Sequence, residues 1–167
     1  TVTANRDLKV VRELLMHPML LPGFNDSGAH LTNMAFYDGN LRSLKLASET
    51  DDERDVAYMV KRLTKDAADV FGVSGGTVYT NDVADLILVD PDVLQGYDGE
   101  QNVRRVFREE YQHEQLVNRS DDVVPLVMIG GKIAWENKCF SEDLGQTAYG
   151  RLLRSEISKD LNQQINA

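Results

Sequence analysis

The hydrophobic periodicity of this 167-residue chain changes near Gly72, and that change limits its architecture more than any other feature. Before Gly72 the apolar residues recur mainly at helical spacing. Leu8, Val11 and Leu15 form one stripe of a helix over residues 6–16, with Val10 and Leu14 beside it. Asn5 is placed to cap that helix and His17-Pro18 to end it. A second helix is expected from Leu41 to Ala47, followed by an acidic linker over residues 49–53. The stretch from Asp55 to Phe71 again reads as helix, with Val56, Met59, Val60 and Leu63 on one face. Thr64 is placed to cap a shorter helix carrying Ala67, Ala68 and Phe71, and Gly72 to close it. One segment breaks the pattern. Met19-Leu20-Leu21, closed by Pro22-Gly23, suits a short strand buried on both faces, and a polar loop from Phe24 to His30 follows it. Helix, buried strand and polar loop make one unit of an α/β barrel or a doubly wound sheet, folds that place chemistry on the loops after strands.

After Gly72 the signals are those of a β-rich region. Gly75-Gly76 introduces Thr77-Val78-Tyr79, Asn81-Asp82 makes a turn, and residues 84–89 form a strand stopped by Asp90-Pro91. Residues 102–117 are expected to be an amphipathic helix, with Val103, Val106, Phe107 and Tyr111 on one side. Residues 123–129 and 132–135 flank Gly130-Gly131, a strong two-residue hairpin signal. A last helix is expected over about 150–165, and no internal repeat is visible.

Composition narrows the function classes. Eighteen Lys and Arg against 27 Asp and Glu leave a net charge of −9, which argues against a nucleic-acid partner, since phosphate contacts need a basic face. No apolar run is long enough to span a bilayer, and no signal segment opens the chain. A single cysteine, Cys139, excludes an intrachain disulfide and any multi-thiolate metal site. The expectation is a soluble cytoplasmic chain without membrane contact. Its start at Thr1 suggests a piece of something longer.

Several segments stand together in order along the chain: Asp26-Ser27-Gly28-Ala29-His30 after the apolar run, then residues 63–72 (LTKDAADVFG). Gly76-Thr77-Val78 and residues 84–90 (ADLILVD) come next, then Asn118-Arg119-Ser120-Asp121-Asp122. Residues 127–133 (VMIGGKI) and 150–154 (GRLLR) complete the set. In this order, over nearly the whole chain, they resemble the C-terminal part of the amidohydrolase superfamily, closest to the N-acyl-D-amino-acid deacylases (D-aminoacylases). The resemblance implies an α/β fold class. Residues 1–72 would be the last strand–helix unit of a (β/α)8 metal-dependent hydrolase barrel, and 73–141 a small flanking β-sandwich with a helical insertion near 95–117. Residues 142–167 would be a helical tail, and the chain taken alone would be mixed α+β. Such a barrel takes about 250 residues, so only part of one is present. One departure is visible: Asn81 stands at the turn where the family usually has glycine, and asparagine is the next-best residue for a left-handed turn.

The resemblance also implies a reaction. The complete enzyme would hydrolyse a non-peptide C–N bond, the amide of a small N-acyl-D-amino acid, with water activated by zinc or another divalent metal. Asp26 matches the family's aspartate at the end of the eighth barrel strand, which touches the metal and serves as general base, then acid to the leaving amine. Ser27 and Gly28 would let the loop approach substrate, and His30 could contact substrate or pin the loop. A catalytic zinc needs three protein ligands, and the chain's histidines, His17, His30 and His113, include no His-x-His pair. The metal is therefore expected to be held by the complete enzyme rather than by this chain alone, which would be inactive. An upstream barrel segment or a second copy of the chain would be its partner.

Plainer alternatives stand beside these roles. Asp-Ser-Gly is also a common turn. His17 reads as a structural residue before Pro18, His113 as a solvated side chain, Cys139 as an inert thiol and Trp135 as hairpin packing. A second class of function is a non-catalytic truncated subunit or interaction module, whose apolar 19–21 strand and helices need a partner chain. Thr1 as an N-terminal nucleophile would require a sheet sandwich starting there, whereas Thr1 leads into a helix.

Overall fold

The computed structural model describes residues 7–23, 32–50, 52–109, 112–118 and 120–155. Helix α1, Leu8–Met16, starts at Asp7, whose carboxylate accepts the Lys9 N–H at 2.9 Å, so the cap is Asp7 and not Asn5. It stops at His17, whose extended backbone is what a following proline imposes. Residues 19–21 do not form the expected buried strand. Leu20 donates to the His17 carbonyl in a turn, and Met19 is 83% exposed. A strand buried on both faces needs neighbours for both backbone edges, and no described strand lies beside this run.

Strand β1, Asn33–Met34, leads through a 3-10 turn, Ala35–Asp38, into α2, Gly39–Ser48. Helix α3, Glu53–Leu63, is capped by Asp52, which accepts from the Arg54 N–H at 3.0 Å. Met59 is buried as expected, but Val60 is 45% exposed and Arg62 takes the buried position instead. The Thr64 hydroxyl donates to the Val60 carbonyl at 2.7 Å and does not cap α4, Lys65–Phe71. Gly72 closes α4 in the left-handed region, φ 61°, with its N–H on the last-turn carbonyls.

Beyond Gly72, residues 77–79 are not a strand, and Asn81 adopts the expected positive φ of 75°. Strand β2, Leu86–Leu88, is followed by a short helix, α5, Pro91–Gln95, capped by Asp90. The helix expected over 102–117 is instead a hairpin: β3, Val103–Arg108, pairs antiparallel with β4, His113–Asn118. Burial there alternates with period two, Gln115 and Val117 being buried and Glu114 exposed, and Gln112 supplies a positive φ in the turn. β1 adds to β4 in parallel, giving sheet order β1-β4-β3. The second sheet is antiparallel, in the order β2-β5-β6-β7, with β5 Leu126–Ile129, β6 Lys132–Glu136 and β7 Cys139–Phe140. The β5–β6 turn is Gly130-Gly131, φ 57° and 81°, as its sequence requires. Residues 142–155 form turns and irregular chain, not a helical tail; the rest of the expected terminal helix lies outside the described residues.

The result is a mixed α+β fold. Leu41, Leu94, Tyr97 and Val123 form a buried cluster, with Leu44, Val89 and Val124 against it, so residues on both sides of Gly72 share one core. No described helix is long and apolar enough to cross a membrane.

Candidate functional site

Asp26, Ser27, Gly28 and His30 lie outside the described residues, which resume at Thr32. The Thr32 carbonyl accepts the Leu116 N–H at 2.9 Å, and Asn33 and Met34 pair with Leu116 and Val117. The Asn33 side chain then accepts the Ala35 N–H at 3.1 Å, turning the chain toward Asp38.

Asp38 and Tyr97 are both buried. The Tyr97 hydroxyl lies 3.0 Å from Asp38 Oδ2 and 3.1 Å from Asn118 Oδ1, with one proton to offer these two acceptors. Asn118 Nδ2 donates to the Gly99 carbonyl at 3.0 Å, and Lys45 Nζ to the Tyr97 carbonyl at 2.6 Å. Burial, and then the Asp38 carboxylate, raise the Tyr97 phenol above its ordinary pKa. A Cβ at Gly99 would collide with Asp38 Oδ2. This cluster holds a neutral phenol against a carboxylate; it clamps three segments together and offers no activated nucleophile.

Asn118 also borders a solvent-open cavity of about 400 Å³. Ser120 and Asp121, from the 118–122 motif, share its polar side, and Val124, Trp135 and Phe140 its apolar wall. Trp135 donates Nε1–H to the Val124 carbonyl at 3.2 Å and meets Phe140 edge-on, 4.8 Å between ring centroids. Such a cavity suits a small apolar group with a polar end.

Three other sequence motifs meet at Asp85. Its Oδ1 accepts the Gly130 N–H at 2.7 Å, its Oδ2 the Arg151 guanidinium at 3.1 Å, and the neighbouring Ala84 carbonyl takes the Gly131 N–H at 2.9 Å. Arg151 also donates to the Ser74 carbonyl at 3.2 Å. Residues 84–90, 127–133 and 150–154 are thus joined through one carboxylate.

Among the described residues no group of three or more His, Cys, Asp or Glu is placed to hold a metal, so they do not by themselves fit a zinc centre. His17 Nδ1 accepts the Met19 N–H at 3.2 Å. His113 is exposed, on β4 and not on a charged helix; Cys139 is an exposed free thiol on β7. Sequence reasoning missed Asp38 and Tyr97. The only local signal was Asp38-Gly39 opening a helix, because their meeting depends on contacts 59 residues apart.

No family model matches this chain, and no solved structure matches it. Its relatives include uncharacterized proteins of Mycobacterium bovis and of two Mycobacterium tuberculosis strains, each 31% identical over 163 residues. Each match covers 93% of this chain and 26% of the relative, so the chain spans about a quarter of the length of these proteins.

Proposed function

We propose that this chain is the C-terminal portion of a metal-dependent amidohydrolase, ending a (β/α)8 barrel and forming part of a flanking β-sandwich. The complete protein would hydrolyse the amide of N-acyl-D-amino acids, with Asp26 as general base and then acid. The observation that carries this reading is the convergence on Asp85: of the three motifs that carry the resemblance, 127–133 and 150–154 both hydrogen-bond to 84–90. The length of the relatives supports it too, since they have room for a barrel and for the missing metal ligands. Ser27, Gly28 and His30 belong to the substrate loop in this reading, and zinc or another divalent metal is held by residues outside the described ones. The test is amide hydrolysis of N-acyl-D-amino acids by the full-length polypeptide, with and without added zinc. Asp26→Asn is expected to lower kcat about 10²–10⁴-fold. An inactive zinc-loaded polypeptide, or a fully active Asp26→Asn, overturns the reading, as does activity from these 167 residues alone.

A second reading, a non-catalytic interaction module, is favoured by one observation: Leu8, Leu14, Met19 and Phe71 are all exposed, and α1 buries none of its residues. Native mass spectrometry of this chain checks it, and a clean monomer counts against it.

A further inference from the structure

β3, Val103–Arg108, is the outer strand of its sheet, with β4 on one side and no described strand on the other. The register shows which backbone groups face outward. Leu116 sends its N–H toward β1, to the Thr32 carbonyl, and an extended residue points its N–H and C=O to the same side. Its antiparallel partner Arg105 therefore turns both groups away from β4, and so do Val103 and Phe107, two residues either way. These outward groups have no backbone partner among the described residues.

The side chains on this edge have a charge pattern of their own. Arg104, Arg105 and Arg108 fall within six residues of a chain whose net charge is −9. Arg104 makes no ion pair among the described residues, Arg105 meets Glu114 at 3.4 Å between two exposed side chains, and Phe107 is 54% exposed. Two copies of β3 paired over most of the strand are poor partners for each other: the antiparallel registers centred on Arg105 or Val106, which overlap five of its six residues, each set arginine opposite arginine. We propose that the β3 edge receives, by strand addition, an extended acidic polypeptide segment whose alternation complements Val-Arg-Arg-Val-Phe-Arg. Outward N–H and C=O groups supply the ladder, and carboxylates opposite the arginines set the register. The proposal is independent of the amidohydrolase reading.

The test titrates the 167-residue chain with the acetylated peptide Glu-Val-Val-Glu-Glu-Val, the antiparallel complement of β3, and follows amide exchange by NMR. The Arg105 and Phe107 amides are expected to slow at least 10-fold at saturation, while those of Arg104 and Val106, directed at β4, change little. Arg105→Glu should weaken binding about 10-fold, and Arg105→Pro, which removes an N–H that β4 does not use, should abolish it. The same peptide N-methylated at alternate residues, needing no change in the protein, should not bind. Unchanged exchange at Arg105 and Phe107, or equal binding of the N-methylated peptide or of a version with lysine for glutamate, overturns the proposal.

Discussion

Arg62 is 2% exposed on α3, yet its guanidinium is only partly satisfied. One terminal nitrogen donates to the Tyr58 hydroxyl at 3.0 Å, and the group lies 5.2 Å from the Tyr58 ring centre, but Nε and the other terminal nitrogen have no partner among the described residues. A buried donor left without an acceptor costs about 1–3 kcal/mol. Arg62→Met keeps the volume and removes that cost, so urea denaturation is expected to show unchanged or higher stability. A loss above about 2 kcal/mol would mean that the cation is needed in the fold. Tyr97 behaves in the opposite way. Tyr97→Phe strips Asp38 of its donor and should cost about 1–3 kcal/mol. The Tyr97 pKa is raised in the folded state, so its contribution is complete below the unfolded value of about 10 and is lost as pH climbs beyond it. Urea midpoints measured across that range should fall for the native chain and fall less for Tyr97→Phe; parallel curves would refute the assignment.

Elements whose chemistry is local were legible in the sequence. Gly72, Gly130-Gly131 and Asp90-Pro91 each act within a few residues, and each appears where expected, whereas of the α3 stripe Met59 is buried but Val60 is exposed. Elements that depend on distant partners were not. Val103, Val106 and Phe107 fit a helical face, and only pairing with residues 113–118 makes them a strand. Residues 19–21 have strand composition but no neighbouring strand among the described residues. Two glycines give a paired check at this scale. Gly72, at φ 61°, should lose about 1 kcal/mol as alanine, because a Cβ is strained there. Gly39 is helical at φ −52° with open space around its Cβ position, so Gly39→Ala should gain about 0.5–1 kcal/mol. Thermal melts that move both variants the same way would contradict the assigned backbone conformations. The 141–149 turn offers a third check. Hydrogen bonds from Tyr149, then Ser141 and Thr147, hold the Asp143 carboxyl at about 2, so its contribution is present above about 4 and lost as pH falls toward 2. A carboxyl NMR titration with its midpoint near the ordinary aspartate value would show that the turn is not formed.

At the scale of the molecule, the break in periodicity at Gly72 marks a change of element type and does not divide the core. Leu41 on α2 packs with Leu94, Tyr97 and Val123 from beyond Gly72, and β1 lies in the same sheet as β3 and β4. The candidate site is divided in the same manner. Its motifs at 84–90, 127–133 and 150–154 were legible and meet at Asp85, whereas the Asp38–Tyr97 pair is created only when the two sides pack together. Leu94→Ala tests that coupling directly, since Leu94 is buried where the two sides meet. Removing its side chain should cost about 2–5 kcal/mol, the range for a core leucine that leaves a cavity. If the core is shared, that loss must be felt on both sides of Gly72. Amide exchange should accelerate in α2, whose Leu41 loses its neighbour, and equally in β5, which follows Val123 and Val124, because both would open through one cooperative unfolding. Acceleration confined to residues after Gly72 would instead mean two separately stable units, with the Asp38–Tyr97 clamp a surface contact between them.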